Sequence, residues 1–525
     1  MKNMIQSSKF CTFVCSAAKV LAQAFLQSRL YAILLAVVNF FADAYAASKT
    51  RVILIGKGDI ERFAPEAVLY KGLGGLVGGF IGFFAGICRA LRTGAADSAF
   101  VKLFHAVFGS YRERYLYFVS FVCVFIFVIP HNFWSNMFGL LFAVLLFALY
   151  IVAVSGAQSA SRPGTNFNAV WFSMLVFGFS LLASCFISYD RADSVRVLLF
   201  FITSFMLCMV LYASLRKAED FGVLGGFMYA ALILTSLLAF YQRLTGVEAD
   251  ASLTDLSLNQ GMPGRVFSTL GNPNNYAEFL VLFMPFAFAY ALSHEKGTTK
   301  RRALIGGMFL PLGAILLTYS RSGWIALAIA AAIFIMLYDK RLIPVFAILG
   351  VCALPFVPST IWNRILTIAN PNDTSTASRI PLYQAALSVI KESPVSGAGL
   401  GTAATQAFIK DMNLYHGKAP FVHSHNFFLE VWIEAGLLGI VGFISSMLWN
   451  IKRAAHTVRH CGDSAARTIT CAACAAMCGS LVCGLADYLW NYPRVMCMFW
   501  FVFAMGLAGA KVCRQHLEEA LDIEI

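Results

Sequence analysis

Charge is scarce in this chain. Of 525 residues only 13% are Asp, Glu, Lys or Arg, against 59% that are hydrophobic. A soluble domain carries roughly 25% charged residues, so a chain this apolar has too little polar surface to face water. Other familiar signals are missing as well. No G-x-x-x-x-G-K-[ST] loop is present, which argues against ATP hydrolysis. The glycine run near residue 74 is not a dinucleotide fingerprint, because Val77 fills the third glycine position. No clear internal repeat is present, which counts against a transporter built from two similar halves. The two long connections at 243–274 and 359–424 contain no cysteine, so the 14 cysteines are not a disulfide framework for those loops. Cys471, Cys474, Cys478 and Cys483 sit in an Ala/Cys/Gly-rich segment at helical spacing that matches no common zinc pattern. They read as small packing residues.

What the chain has is apolar length. Apolar runs occupy about 115–130, 133–154, 167–187, 195–213, 221–241, 275–292, 303–319, 323–338, 342–358, 426–450, 470–489 and 495–510. A helix needs about 20 such residues to cross a ~30 Å hydrocarbon core, and backbone groups in lipid must be satisfied within the segment. The expectation is an all-α polytopic membrane protein with about twelve spans. With the N-terminus on the inner side, 29 of the 40 Lys/Arg fall in inner segments and 11 in outer ones. Lys300, Arg301, Arg302, Lys340, Arg341, Lys452 and Arg453 are all inner, which is the positive-inside pattern. This orientation also assigns the net charge of +13 to the membrane surface and away from nucleic acid.

Three regions follow. Residues 1–114 form a basic segment with 14 Lys/Arg and apolar stretches at 30–47 and 72–88, read as amphipathic helices on the inner surface. A spanning hairpin is the alternative, but it would place Lys49, Arg51, Lys57, Arg62 and Lys71 outside. A cleaved signal ending at Ala44-Tyr45-Ala46 is a further alternative. Residues 115–510 form the membrane domain, with the partly helical outer loop 359–424 before the tenth span. Residues 511–525 form a short inner tail. Within the loop, Tyr383 to Val389 reads as a helix with Leu382, Ala385, Ala386 and Val389 on one face.

The candidate chemistry lies at the outer ends of the spans. His425 precedes the tenth span in His423-Ser-His425-Asn426, with Gly436-Leu-Leu-Gly439 further on. A histidine at the boundary of membrane and water can act as a general base. It can also simply cap the helix. With His423 it could bind a metal, although no third ligand is evident nearby. Glu430 and Glu434 follow inside the span, where an acid needs a partner or a task. Arg265 lies in Gly264-Arg265-Val-Phe-Ser-Thr-Leu-Gly271-Asn-Pro-Asn-Asn275, where Asn274 or Asn275 reads as a helix cap. Glu278, one turn on, could pair with Arg265 or Arg321. Arg321, in Ser320-Arg321-Ser322-Gly323, either snorkels to the interface or binds an anion. Arg379, in Ser378-Arg379-Ile-Pro-Leu-Tyr383, is either solvated or a fourth member of the group. A histidine and three arginines around apolar spans suit an anionic, lipid-anchored substrate, because guanidinium matches phosphate in a two-pronged geometry.

The ordered motifs G-N-P-N-N at 271–275, S-R-S-G at 320–323, R-x-x-x-Y at 379–383, P-x-x-G-x-G at 394–399 and H-N-x9-G-x-x-G at 425–439 resemble those of the O-antigen ligase superfamily. That superfamily also holds O-antigen polymerases and protein O-oligosaccharyltransferases. The resemblance covers about 165–510 and says nothing of residues 1–114. It implies a metal-independent, inverting glycosyltransferase of the bacterial inner membrane, needing no cofactor. The donor would be a glycan on undecaprenyl diphosphate at the periplasmic face, and the acceptor lipid A-core. His425 would be the base. Arg265 and Arg321 would hold the diphosphate, with Arg379 supporting it or the loop. Asn426, Glu430, Glu434, Asn274, Glu278 and His423 would be supporting residues. Polymerisation and protein glycosylation are the alternatives within the superfamily; a lipid-glycan flippase or a membrane scaffold would be a different class.

Overall fold

The computed structural model describes residues 20, 23–47, 68–95, 97–99, 102–103, 106, 111–155, 169–247, 264–366, 379–415 and 421–523. Lys49, Arg51, Lys57, Arg62, Ser378 and parts of both long loops (248–263, 367–378 and 416–420) lie outside them. The described residues are helical and contain no strand. Among the described residues eighteen α-helices follow one another: α1 Arg29–Ala47, α2 Val68–Ala95, α3 Tyr111–Val128, α4 Asn136–Ser155, α5 Ala169–Ile187, α6 Arg191–Ser214, α7 Ala218–Thr245, α8 Pro273–Ser293, α9 Thr299–Gly307, α10 Phe309–Leu317, α11 Arg321–Asp339, α12 Ile343–Ala353, α13 Ser359–Leu366, α14 Arg379–Glu392, α15 Thr402–Asp411, α16 Phe427–His460, α17 Ser464–Cys483 and α18 Pro493–Ile523.

The apolar runs are largely helical over their described residues, and the expected count of twelve spans is not confirmed. By length and apolarity nine candidate spans stand among the described residues. Three local features account for the difference. The run 303–319 is two nine-residue helices broken at Met308. The Tyr229 hydroxyl donates to the Leu304 carbonyl at 2.9 Å, taking the acceptor that Met308 N–H would have used. Met308 N–H turns to Ile305 instead. Pro311 removes a further donor. The runs 323–338 and 342–358 join as one stretch, Arg321–Cys352, through a single 3-10 turn at Lys340–Leu342. In addition α3 is apolar over only Arg114–Val128, short of a full span.

The chain divides into two compact units, 1–56 with 335–358, and 57–334 with 359–525. In the smaller, α1 packs on α12, and the Tyr31 hydroxyl donates to the Arg341 carbonyl at 3.2 Å. The larger unit holds all the candidate site residues. Its centre is α8, α16, α17 and α18, with α5 packed on α16 and α6 on α18. Burial grades outward from there. The apolar stretch of α18 is 94% buried and that of α4 only 28%, leaving the face of α4 for lipid. Phe427, Phe443, Trp490 and Phe499 form the aromatic centre where α16 meets α18, with rings 4.4–5.6 Å apart between Phe427 and Trp490 and between Phe427 and Phe499. Cys471, Cys474 and Cys483 are buried in these helix contacts, and among the described residues they form no metal-ligand group. The helix expected in the long loop is present as α14. Ala385, Ala386 and Val389 are buried in one cluster, with Leu382 packed against it.

Candidate active site

Three connections meet at one end of the larger unit: 264–272 before α8, 318–320 before α11, and 421–426 before α16. Each contains a non-glycine residue in the left-handed region, Ser268 at φ 49°, Tyr319 at 51° and His425 at 51°. Such backbone costs of order 1 kcal/mol or more and persists only where neighbours enforce it. The enforcing contacts are present. The buried Gln242 accepts from Phe267 N–H and Ser268 N–H at 3.2 and 2.8 Å and donates to the Ser268 carbonyl at 3.1 Å. The Ser268 hydroxyl donates to the Thr235 carbonyl at 2.7 Å. Ser424 N–H donates to Glu430 Oε2 at 2.7 Å, directly before His425.

His425 does not cap α16. Asn426 does, its Oδ1 accepting from Phe428 N–H and Leu429 N–H at 3.0 and 3.1 Å. The Asn426 amide also donates to the Leu485 carbonyl, and Phe427 N–H donates to the Gly484 carbonyl at 2.7 Å. These two bonds draw the α17–α18 connection beside the histidine. As a result Asp487 Oδ1 lies 3.1 Å from His425 Nδ1. His425 keeps 35% of its side chain exposed and Asp487 14%. Burial works to raise the Asp487 carboxyl, but the hydrogen bond and charge of His425, with Arg379 and His423, outweigh it and hold it at about 2. An ionised acceptor on Nδ1 fixes the proton there and leaves Nε2 with its lone pair, the form a general base needs.

The cap expected at Asn274 or Asn275 is instead Asn272, whose Oδ1 accepts from Asn274 N–H at 2.8 Å, followed by Pro273 at the first helical position. This frees the Asn274 side chain for a different task. Its Oδ1 accepts from Arg265 Nη2 at 2.6 Å and its Nδ2 donates to Asp487 Oδ2 at 3.3 Å. Arg265, Asn274, Asp487 and His425 therefore form one hydrogen-bonded chain. Arg265 is buried and also donates from Nε to the Thr318 carbonyl at 2.8 Å. Burial, and then the charge of Arg364, push its pKa down to about 9. Arg321 is half-buried at the start of α11 and within electrostatic reach of Arg265. Gly323 brings α11 onto α8: a Cβ there would lie 2.7 Å from the Ala277 Cβ. Arg379, at the start of α14, acts electrostatically on Asp487 and His423. One turn on, the Tyr383 hydroxyl reaches the His425 carbonyl at 3.5 Å. All four sequence candidates, His425, Arg265, Arg321 and Arg379, thus come to one place.

Glu430 and Glu434 hold backbone. Glu430 has the bond to Ser424 already described. Glu434 accepts from Gly401 N–H at 3.2 Å and from the Tyr488 hydroxyl at 2.9 Å. Glu278 makes no ion pair with Arg265 or Arg321 among the described residues, and its Oε2 is buried without a hydrogen-bond partner. The glycines of two motifs fit each other. Gly436 breaks α16 at φ 67°, ψ −168°, a conformation open only to glycine. The break releases the Ile433 carbonyl and Leu437 N–H, and the turn at 395–398 takes both: Ala398 N–H donates to Ile433 at 2.7 Å and Leu437 N–H to Val395 at 3.2 Å.

His423, His425 and Asp487 bring one ligand atom each within 4.8 Å of one another, so the third metal ligand missing from the sequence is Asp487. Two features oppose a cation there. His423 Nδ1 is taken by His425 N–H at 3.2 Å, and the cluster faces arginine. Burial, and then the charge of His425, push His423 down to about 4, so it is neutral near pH 7. Sequence reasoning missed Asp487, which was read as the tail of a span at 470–489, whereas α17 ends at Cys483. It also missed Tyr488, Gln242 and Arg364, none of which stands in a motif.

Residues 306–444 match the family model described as O-antigen ligase. The match includes S-R-S-G, R-x-x-x-Y, P-x-x-G-x-G and the histidine motif, and excludes Arg265 and Asp487. An uncharacterised protein of Haemophilus influenzae is 25% identical over 301 residues, covering 53% of this chain and 70% of its own length. A ComP-specific O-oligosaccharyltransferase of Acinetobacter baylyi is 23% identical over 338 residues, covering 61% of this chain. The chain spans 59% of that relative's length, under two thirds.

Proposed function

We propose, from the match to the O-antigen ligase family, that this multi-pass membrane protein transfers a glycan from a polyprenyl diphosphate, undecaprenyl diphosphate in a bacterial inner membrane, to an acceptor hydroxyl at the outer, periplasmic face. The observation that carries this reading is the hydrogen-bonded chain from Arg265 through Asn274 and Asp487 to His425, which joins an anion-binding group to a base.

His425 Nε2 takes the proton of the acceptor hydroxyl. The hydroxyl oxygen forms a bond to the anomeric carbon of the donor while the bond from that carbon to the phosphate oxygen breaks. The electron pair leaves with the diphosphate, and the configuration inverts because attack comes from the opposite side. Asp487 stabilises the imidazolium. Arg265, Arg321 and Arg379 neutralise the departing diphosphate. The diphosphate is already a good leaving group, so orientation, deprotonation and charge stabilisation suffice, without metal or nucleotide.

Lipid A-core is the acceptor in the first reading. A protein hydroxyl is the second, favoured by the name of the Acinetobacter relative. Reconstitution with a lipid-diphosphate glycan and each acceptor distinguishes them by which one gains sugar. In the same assay His425→Ala is expected to lose transfer on the order of 100-fold or more while remaining in the membrane. Activity is expected to persist in excess chelator. Substantial transfer by the variant removes the base assignment, and zinc-restored loss in chelator favours the metal cluster.

A further inference from the structure

The helices of the larger unit enclose a second space, at their ends away from the candidate site. The near ends of three of them meet the site loops. The Thr269 hydroxyl donates to the Phe127 carbonyl of α3, Asp193 of α6 accepts from Ala403 N–H, and Gln242 of α7 holds the 267–268 turn. At the far ends a cavity of about 550 Å³ lies between α3, α4 and the turn from α6 into α7. That volume is ordinary for a small-molecule site.

Leu116, Val154 and Val223 give the cavity an apolar wall. Two polar groups face it with hydrogen-bonding capacity unused. Tyr150 of α4 is 5% exposed and lines the cavity, yet its hydroxyl has no hydrogen-bond partner among the described residues. A buried hydroxyl left unpaired is costly, which argues for a partner from outside the chain. Arg216 acts electrostatically on Tyr150. Its Nε donates to the Ala213 carbonyl at 3.3 Å, which orients the guanidinium, and its two Nη groups have no partner among the described residues. The other polar groups are committed. The Ser214 hydroxyl donates to the Val210 carbonyl and so accepts from the Tyr115 hydroxyl at 2.9 Å. Asp220 accepts from Arg216 N–H and Lys217 N–H at 2.8 and 3.1 Å, and Glu219 pairs with Lys217 at 3.8 Å. Lys511 of α18 places a further positive charge near Arg216.

The cavity therefore offers one hydroxyl and one guanidinium fork beside an apolar wall. A ligand that satisfies both is an anion able to accept several hydrogen bonds, and phosphate suits the fork. The same two helices expose Phe121, Phe125, Val144 and Leu145 further along, so the cavity lies beside a lipid-facing surface.

We propose that this cavity binds the phosphate headgroup of an anionic membrane phospholipid, in the leaflet opposite the candidate site. The phosphate accepts from Tyr150 and from the Arg216 fork, and the acyl chains lie against α3 and α4. Basic recesses between spanning helices suit such headgroups. This binding does not depend on the glycan-transfer reading.

The test uses the full chain in nanodiscs of phosphatidylcholine with a minor fraction of phosphatidylglycerol, followed by native mass spectrometry of the lipid retained. The wild-type protein is expected to enrich phosphatidylglycerol about fivefold or more over its share of the disc. Arg216→Gln and Tyr150→Phe are each expected to lower that enrichment about threefold or more, with Tm in pure phosphatidylcholine unchanged. Tyr150→Phe is the stricter variant, because it removes only an oxygen that no described residue engages. An unchanged enrichment in either variant overturns the proposal, as does a wild-type protein with no preference. Loss of enrichment only together with a lowered Tm also overturns it, since that marks a structural role. Millimolar inorganic phosphate separates the two sources of the anion. Retention of phosphatidylglycerol in its presence supports the lipid, and release by it assigns the cavity to a soluble phosphate and overturns the proposal.

Discussion

At the scale of single residues, the site turns on which atom of His425 carries the proton. Asp487 accepts from His425 Nδ1 and also from Tyr488 N–H and the Asn274 amide, so its carboxylate is fixed from three sides. Asp487→Asn keeps the shape, but it can present an N–H to Nδ1 and so favour the tautomer with no lone pair on Nε2. Transfer is expected to fall on the order of 100-fold or more, with acceptor KM little changed. Steady-state kinetics on the reconstituted protein check this, and near-normal kcat would leave Asp487 as a loop anchor only. The histidine was legible in the sequence because it precedes a span in a motif. The aspartate was not, because only three residues lie between Cys483 and Asp487 and apolar composition alone does not show where a helix stops. Asn274 was legible as a helix-end residue but not in its role. Only the geometry shows that Asn272 has already capped α8, leaving Asn274 to bridge arginine and carboxylate.

At the scale of elements, the informative features are breaks. A glycine in a span reads as a packing residue, so Gly436 gave no sign that α16 is interrupted. A Cβ on Gly436 would lie 2.0 Å from the Val395 carbonyl oxygen. Gly436→Ala therefore suffers both overlap and a forbidden backbone. The backbone term alone costs roughly 1–3 kcal/mol. The expected outcome is a lower unfolding midpoint in detergent and reduced accumulation in the membrane. An unchanged midpoint would mean that α16 can run straight through this position without the 395–398 turn. The same limit explains the span count. The sequence shows Tyr229 and Pro311 each within a span, yet the hydroxyl that interrupts the 303–319 run comes from α7, 75 residues before its acceptor at Leu304. By contrast, the buried face of α14 was readable, because Ala385, Ala386 and Val389 follow helical spacing and meet one cluster.

At the scale of the whole molecule, stability should depend on pH through His423. Its pKa in the folded chain is about 4, below the ordinary 6.5. A depressed histidine adds stability above its unfolded value, and this is lost as pH falls through the folded one. The unfolding midpoint is expected to decline from about pH 6.5 toward 4. In His423→Asn, which retains an acceptor for His425 N–H, the decline should be shallower. Thermal unfolding in detergent across that range measures both, and parallel slopes would assign the acid sensitivity elsewhere. The Asp487 carboxyl, held at about 2 against an ordinary 3.8, adds its own loss of stability below about pH 4, beneath the histidine's window. That the chain is an all-helical, multi-pass membrane protein was legible from apolar length. The positions of the smaller unit's helices were not, since neither periodicity nor charge says which distant segment α1 will meet.

The left-handed backbone at Ser268, Tyr319 and His425 has one more consequence. Glycine at any of these positions would relax the main chain, so the molecule is less robust than its helices would permit. The relief would come at the three places where the loops aim Arg265, Arg321 and His425. Under the proposed glycan-transfer reading, sturdiness and reactivity are therefore set against each other at the same residues. Attempts to harden this protein by easing its backbone would blunt it first, and the safer positions for hardening lie in the helices away from these loops.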